Sequence, residues 1–279
     1  MEPVLTAAHG ARIIPPTVHL GRITLFPIKS LDGMARTESA VTAGGILEHD
    51  REYALFDEAG RWVNGKRTPK IQQLRCAYDP EVREVSLWEQ GQTVRTTFPL
   101  VDRAALGRWL SDFFSFAVTV RHEPRGGFPD DAEAFGPTVV SEASLRAVAA
   151  WFPGLDLEGA RRRFRANLEI AGADAFAEDA FYGGPDERRP FTIGTVQLLG
   201  HNPCQRCVVP TRDPDTTEPI PHFQKIFMER RERHFPAWAD ARRFNHFYRF
   251  AVNTSISPTE AGKVIRVGDP VLCGPARRR

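Results

Sequence analysis

The chain has 279 residues, 42% of them hydrophobic, with 37 Lys plus Arg against 35 Asp plus Glu for a formal net charge of +2. This balance excludes a generally polybasic nucleic-acid binder and an acidic disordered tail, while length and apolar content suit a core divided between two domains. No apolar run reaches the roughly 18 to 20 residues of a membrane span, Glu2 stands where a signal peptide carries Lys or Arg, and four cysteines are too few for a disulfide scaffold. The composition therefore predicts a soluble, cytoplasmic protein with no nucleic-acid partner and no membrane span.

Residues 1–17 lack periodicity and read as a loose arm. Residues 18–26 are rich in β-formers, and residues 52–56, a turn ending at Gly60, and residues 61–63 read as a hairpin. Residues 70–78, 82–88 and 92–98 are further strand candidates, separated by Asp79, Pro80 and Gly91. Strands this short and closely spaced predict a barrel or sandwich. Asp102 caps a predicted helix whose Leu106, Trp109, Leu110 and Phe113 share one face, placed as a lid on the barrel. After a strand over 116–120, the breaker-rich stretch from Pro124 through Gly126, Gly127 and Pro129 to Asp131 marks a boundary between a β-barrel domain over 18–123 and a second domain over 124–279.

The second half opens with a strand over 138–140 and a helix capped by Ser141, with Leu145, Val148, Ala149 and Phe152 on one stripe. Residues 164–170 alternate: Phe164, Ala166, Leu168 and Ile170 face one way, Arg165, Asn167 and Glu169 the other. Residues 191–199, 207–211, 247–252 and 263–273 complete the strands, the last broken at Gly268, Asp269 and Pro270. A short helix from Phe223 to about Arg233 has a basic end. The predicted class is α+β and β-rich.

The sharpest chemical feature is His201, Asn202, Pro203, Cys204, Gln205, Arg206, Cys207, a C-x-x-C pair. A structural zinc site takes four ligands, and His201, His222, Cys76 or Cys273 would have to complete it. A thioredoxin-like dithiol precedes a helix, whereas a strand is predicted here. A third reading is a single thiolate on a soft redox metal, with Arg206 lending positive charge to a bound anion. A fourth is a pair of small buried residues.

The run from Asn202 to Cys207, continuing Val208, Val209, Pro210, Thr211, Arg212, Asp213, Pro214, Asp215, Thr216, resembles the signature of MOSC domains, the molybdenum-cofactor modules of cofactor sulfurases and amidoxime reductases. Upstream, Phe26, Pro27, Ile28, Lys29, Ser30, Leu31, then Gly45, Ile46, Leu47, Asp50, Arg51, Thr68 and Pro69, resemble the N-terminal β-barrel domain that accompanies MOSC domains. Val264 to Val271 is similar to the family's closing strand, so the resemblance spans about residues 18–273.

This resemblance implies an N-terminal β-barrel packed on a MOSC β-barrel-like domain with peripheral helices. It implies a molybdenum pyranopterin ligated by Cys207, with Gln205 and Arg206 beside it and Cys204 secondary. Lys29, Ser30, Arg51, Arg165 and Asn167 match positions that contact the phosphate-bearing cofactor, and the alternation above puts Arg165 and Asn167 on one polar face. The implied activity is reduction of small N-hydroxylated compounds. Electrons would come from a separate protein, since four cysteines at these spacings form no ferredoxin pattern. Basic clusters at Arg161 to Arg163, Arg230 to Arg233 and Arg277 to Arg279 are candidate docking points for an acidic donor. The rival reading is a non-catalytic carrier holding the cofactor, or a persulfide on Cys207 or Cys204. One stretch departs from the family: Glu133, Ala134, Phe135, Gly136 and Pro137 stand where small polar residues are usual, so an apolar Phe135 would narrow the substrate mouth, with Asp130 and Asp131 as weaker rim candidates.

Overall fold

The computed structural model describes residues 18–274 and 277–278; the arm assigned to residues 1–17, and Arg279 of the C-terminal basic cluster, lie outside the described residues. Strand β1 (His19–Leu25) buries Leu20, Ile23 and Leu25. The odd spacing between Leu20 and Ile23 is accommodated by a register shift between Leu20 and Arg22 in the pairing with a later strand. β2 (Met34–Arg36), β3 (Glu38–Ala40) and β4 (Tyr53–Phe56) follow. The hairpin expected at residues 52–63 is present in reduced form: Asp57 N donates to Arg61 O, Val63 N donates to Leu55 O, and Phe56 bridges Trp62.

The expected strand over 70–78 is a strand only in its second half. Pro69 opens a 3-10 turn (Pro69–Gln73), because its ring presets φ for a helical start and its missing N–H costs nothing there. β5 (Leu74–Tyr78), β6 (Glu84–Glu89) and β7 (Thr96–Pro99) then form an antiparallel meander. Helix α1 (Arg103–Phe114) starts where predicted, with Ala105 N donating to Asp102 Oδ1 at 3.0 Å. Its Leu106, Leu110 and Phe114 share a core with Leu74, Val85, Leu87 and Leu100. Each such fully buried aliphatic side chain contributes about 1.5–3 kcal/mol of transfer free energy.

β8 (Thr119–His122) pairs with β4, and β9 (Val139–Ser141) leads into α2 (Glu142–Ala149), capped by Ser141 as Ser144 N donates to its hydroxyl. The alternation at 164–170 proves to be two structures. Helix α3 (Leu157–Phe164), capped by Asp156, ends at Phe164; Arg165 is its left-handed C-cap, and β10 (Leu168–Ala171) begins three residues later. Leu157, Ala160, Arg161 and Phe164 recur at helical spacing, but only three are apolar and Gly159 interrupts them, so the helical signal was weak.

The single strand expected over 191–199 is a hairpin, β11 (Glu187–Ile193) and β12 (Val196–Gln205), turning at Gly194 with φ of +57°. Residues 207–211, expected as a strand, are a 3-10 turn over Val209–Thr211 with Pro210 in its first turn. Helix α4 (Phe223–Arg233), β13 (Arg249–Ile256), β14 (Val264–Arg266), β15 (Val271–Cys273) and β16 (Arg277–Arg278) complete the chain.

The architecture is α+β and strand-rich, as expected. The barrels differ from expectation: among the described residues no sheet closes. The main sheet runs β15-β11-β12-β13-β9-β10-β1-β2, with β16 paired to β11. It curls back on itself, since Val271 N donates to Val18 O and His19 bridges Pro270, but this contact is too short to be a ladder. β9 and β10 are parallel, joined by the α2–α3 crossover. β1 and β2 thus share a sheet with strands beyond residue 124, and β3 pairs with β14.

Candidate functional site

A cavity of about 1290 Å³ opens between the two halves of the chain. Along its wall cations outnumber carboxylates two to one, a local excess that the net charge of +2 conceals. Lys29, Ser30, Arg51, Arg165, Gln205, Arg206 and Cys207 all line it, as do Cys204 and Phe135. Asn167 does not: it is fully buried behind the wall.

One end is carried by β12 and the turn after it. Register shifts against β13 between Gly200 and Asn202, and between Pro203 and Gln205, bend the strand beside the site. Gly200 is required by a close approach, since a Cβ there would lie 1.8 Å from Phe181 O. Arg206 stays tied to the sheet: its N donates to Tyr248 O at 3.1 Å and its Nε to Phe250 O at 3.0 Å. Its Nη2 is buried with no hydrogen-bond partner. The chain then turns, and Val209 N donates to Cys207 Sγ at 3.4 Å. Behind the turn, Arg163 Nη1 donates to Pro210 O at 3.2 Å and Nη2 to Asp213 Oδ2 at 3.1 Å. All four cysteines are free, and the described residues include no cluster of three or more His, Cys, Asp or Glu side chains able to hold a metal.

The other end is assembled from three distant stretches. Residues 26–31 and 50–53 run side by side: Arg51 N donates to Phe26 O, Tyr53 N to Pro27 O and Lys29 N to Tyr53 O. Two guanidiniums approach the Phe26 ring, that of Arg165 at 4.1 Å and that of Arg51 at 5.6 Å from its centre. Arg165 Nη2 donates to Leu31 O at 2.6 Å. Asn167 joins the three stretches: its Nδ2 donates to Asp50 Oδ1 at 2.9 Å and to Thr24 O at 3.1 Å, while its Oδ1 accepts from Arg51 Nη1 and Thr138 N, each at 3.1 Å. Asp50, which also pairs directly with Arg51 and accepts from Phe26 N, is nearly buried rather than a surface partner.

Ser30, Arg51 and Arg165 adopt φ of +73°, +54° and +52°. Non-glycine residues pay roughly 1–2 kcal/mol in this region, and such outliers concentrate where a fixed side-chain position matters. Burial pushes the Lys29 ammonium down to about 8, against the opposing pull of Asp130. Burial, then the charge of Arg51, also lowers Arg165 from its ordinary value.

Of the expected docking clusters, the first is committed elsewhere, as is Arg231 of the second, while Arg230 and Arg233 are exposed. Arg161 pairs with Glu169, Arg162 with Asp215 and Arg163 with Asp213, and Arg231 is buried against Asp179. Sequence reasoning also passed over Arg75 and Arg249, both on the cavity wall, because an arginine on a strand carries no signal that separates a site from solvent.

A phosphate-bearing, soft-metal cofactor fits these residues: a free thiol with a donor on its sulfur, an arginine nitrogen without a partner, and a cationic cradle at the opposite end. Residues 134–272 match the MOSC domain family, and residues 17–116 match the MOSC N-terminal beta barrel domain. The chain is 24% identical over 243 residues to mitochondrial amidoxime-reducing component 1 of Homo sapiens, covering 74% of this chain and 69% of that protein. It is 21% identical over 238 residues to human mitochondrial amidoxime reducing component 2, covering 71% and 67%. A stretch of 65 residues is 31% identical to molybdenum cofactor sulfurase of Oryza sativa subsp. japonica, 23% of this chain and 8% of that protein. Among the described residues no helix is long and apolar enough to cross a membrane. With two family matches in order along the sequence, the chain belongs to the MOSC family.

Proposed function

We propose that this chain holds a molybdenum pyranopterin through Cys207 and reduces small N-hydroxylated compounds with electrons from a separate protein. The observation that carries the reading is the convergence on one cavity of the Cys207 thiol, the Arg206 side chain and the cradle of Lys29, Ser30, Arg51 and Arg165. Relatives named as amidoxime-reducing components support the substrate class.

When bound, the cofactor supplies two-electron chemistry at its metal. The protein supplies position. Cys207 Sγ would ligate the metal, and Arg206 would lend its positive charge to an anionic group on the cofactor. Arg51 and Arg165 would neutralise the phosphate, and Asn167 would hold Arg51 from behind. Overall, an N–O bond is cleaved as two electrons and two protons enter, giving an N–H product and water. Gln205, exposed on the wall, and Phe135 face the space left for substrate.

The test is to purify the full chain from a host that makes the cofactor, measure molybdenum and pterin, and assay benzamidoxime reduction with an artificial electron donor. Stoichiometric molybdenum with turnover supports the reading. Bound cofactor or persulfide without turnover would favour the carrier, and protein lacking both molybdenum and pterin would overturn it.

A further inference from the structure

The Lys29 ammonium is only 5% exposed and already has close neighbours on several sides. Nζ donates to Phe128 O at 2.8 Å, lies 3.7 Å from the centre of the Trp62 ring, and donates to Asp130 Oδ1 at 2.6 Å. Of these partners only Asp130 reaches the cavity, its side chain 73% exposed. After Lys29, the cations that act on the Asp130 carboxylate are Arg51 and Lys66. An anion coming from the cavity therefore meets Asp130 where it would need to meet Lys29.

We propose that Asp130 is an internal occupant of the phosphate cradle, a carboxylate that a phosphate monoester displaces, and that it thereby selects dianions over monoanions. The identification of the ester as the cofactor's rests on the reading above; the displacement does not. Replacing one negative charge by two among three cations gains Coulomb energy, whereas replacing it by a second carboxylate gains none. The loop is built for the exchange. Its flanks are anchored, Phe128 N donating to Arg51 O and Gly136 N to Thr254 O. Between them Asp130, Ala132 and Glu133 are exposed, and Asp131 Oδ1 accepts from Glu133 N at 2.9 Å and Ala134 N at 3.3 Å, which keeps the bend together as Asp130 leaves. Cofactor binding would then move residues 129–132 at the same mouth that Phe135 lines.

The experiment uses the full chain from a host unable to make the cofactor, titrated calorimetrically with inorganic phosphate and separately with acetate. Asp130→Asn keeps a hydrogen-bond acceptor for Lys29 and removes the competing charge. We expect it to bind phosphate at least about tenfold more tightly than wild type, since phosphate no longer has to displace a charged partner from Lys29, and to gain acetate binding that wild type lacks. In wild type, phosphate should shift the backbone amide NMR resonances of residues 130–132. Equal or weaker phosphate binding by Asp130→Asn, or unshifted resonances in wild type, overturns the proposal. If phosphate displaces Asp130 but the protein from a cofactor-making host carries no pterin, the cofactor reading fails alone. If that protein is loaded and Asp130→Asn behaves as wild type, only the displacement fails.

Discussion

At the Cys207 end of the cavity one continuous stretch, the end of β12 and the turn after it, carries Asn202, Cys204, Gln205, Arg206 and Cys207. At the Lys29 end, residues 26–31, 50–53 and 165–167 meet only through tertiary contact, and Arg51 and Asn167 are 116 residues apart when they bond. The contiguous end is held mainly by backbone hydrogen bonds, to which Arg163 and Arg206 add side-chain bonds from outside the Cys207 thiol. At the distributed end the stretch carrying residues 165–167 is joined to the other two chiefly through the Asn167 amide, the buried Asp50 carboxylate and Arg165. Substitutions should therefore separate ligand loss from structural loss at the first end and merge them at the second.

The largest effect expected is Cys207→Ala, which should abolish bound molybdenum and lower turnover by more than about 100-fold, while the melting temperature stays within a few degrees. Cys204→Ala should change turnover less than about threefold; equal losses in the two variants would remove the asymmetry assigned to the pair. Asn167→Ala should cost roughly 2–4 kcal/mol in denaturant unfolding, because it strands Asp50, Arg51 and Thr24 O in the interior, and cofactor content should fall with it. Should stability fall without cofactor loss, the two ends are less coupled than the geometry implies. Arg206→Met should weaken cofactor retention by about tenfold or more, visible as pterin lost on gel filtration, with little change in unfolding.

The smallest effect is in pH. Below about 8, Lys29 is protonated in the folded and unfolded chain alike. Between about 8 and its ordinary value of 10.5, the folded protein has released a proton that the unfolded chain still holds, so stability gains with rising pH relative to Lys29→Met. Over the same interval the cradle loses a positive charge, and affinity for inorganic phosphate, already dianionic there, should decline, as calorimetry from about pH 8 to 10 would record. A flat profile would mean that Lys29 is not in the cradle.

The same contrast explains what could be read from sequence. Cys207 and Arg206 announced themselves because their neighbours in space are their neighbours in the chain, and the caps Asp102 and Ser141 were legible for the same reason. Arg165 and Asn167 were placed together on one polar face by a strand alternation that does not exist there: Arg165 closes a helix and lines the cavity, and Asn167 faces the interior. Nothing local to Asp50 and Arg51 reveals that both bond an amide more than a hundred positions away, Asp50 at a separation of 117 residues and Arg51 at 116. Open sheets in place of barrels were equally illegible, because strand partners such as β1 and β10 are chosen by non-local packing.

That β1 lies between β2 and β10 has a consequence for how the protein is made. Strand β1 cannot complete its hydrogen bonding until residues 168–171 emerge from the ribosome, and β3 must wait longer for β14. Contacts of such sequence separation slow folding and leave strand edges exposed in the meantime. A chain cut near residue 124 would carry β1 without β10 in one piece and an uncovered edge at β10 in the other, so the two family segments should express as partners or not at all.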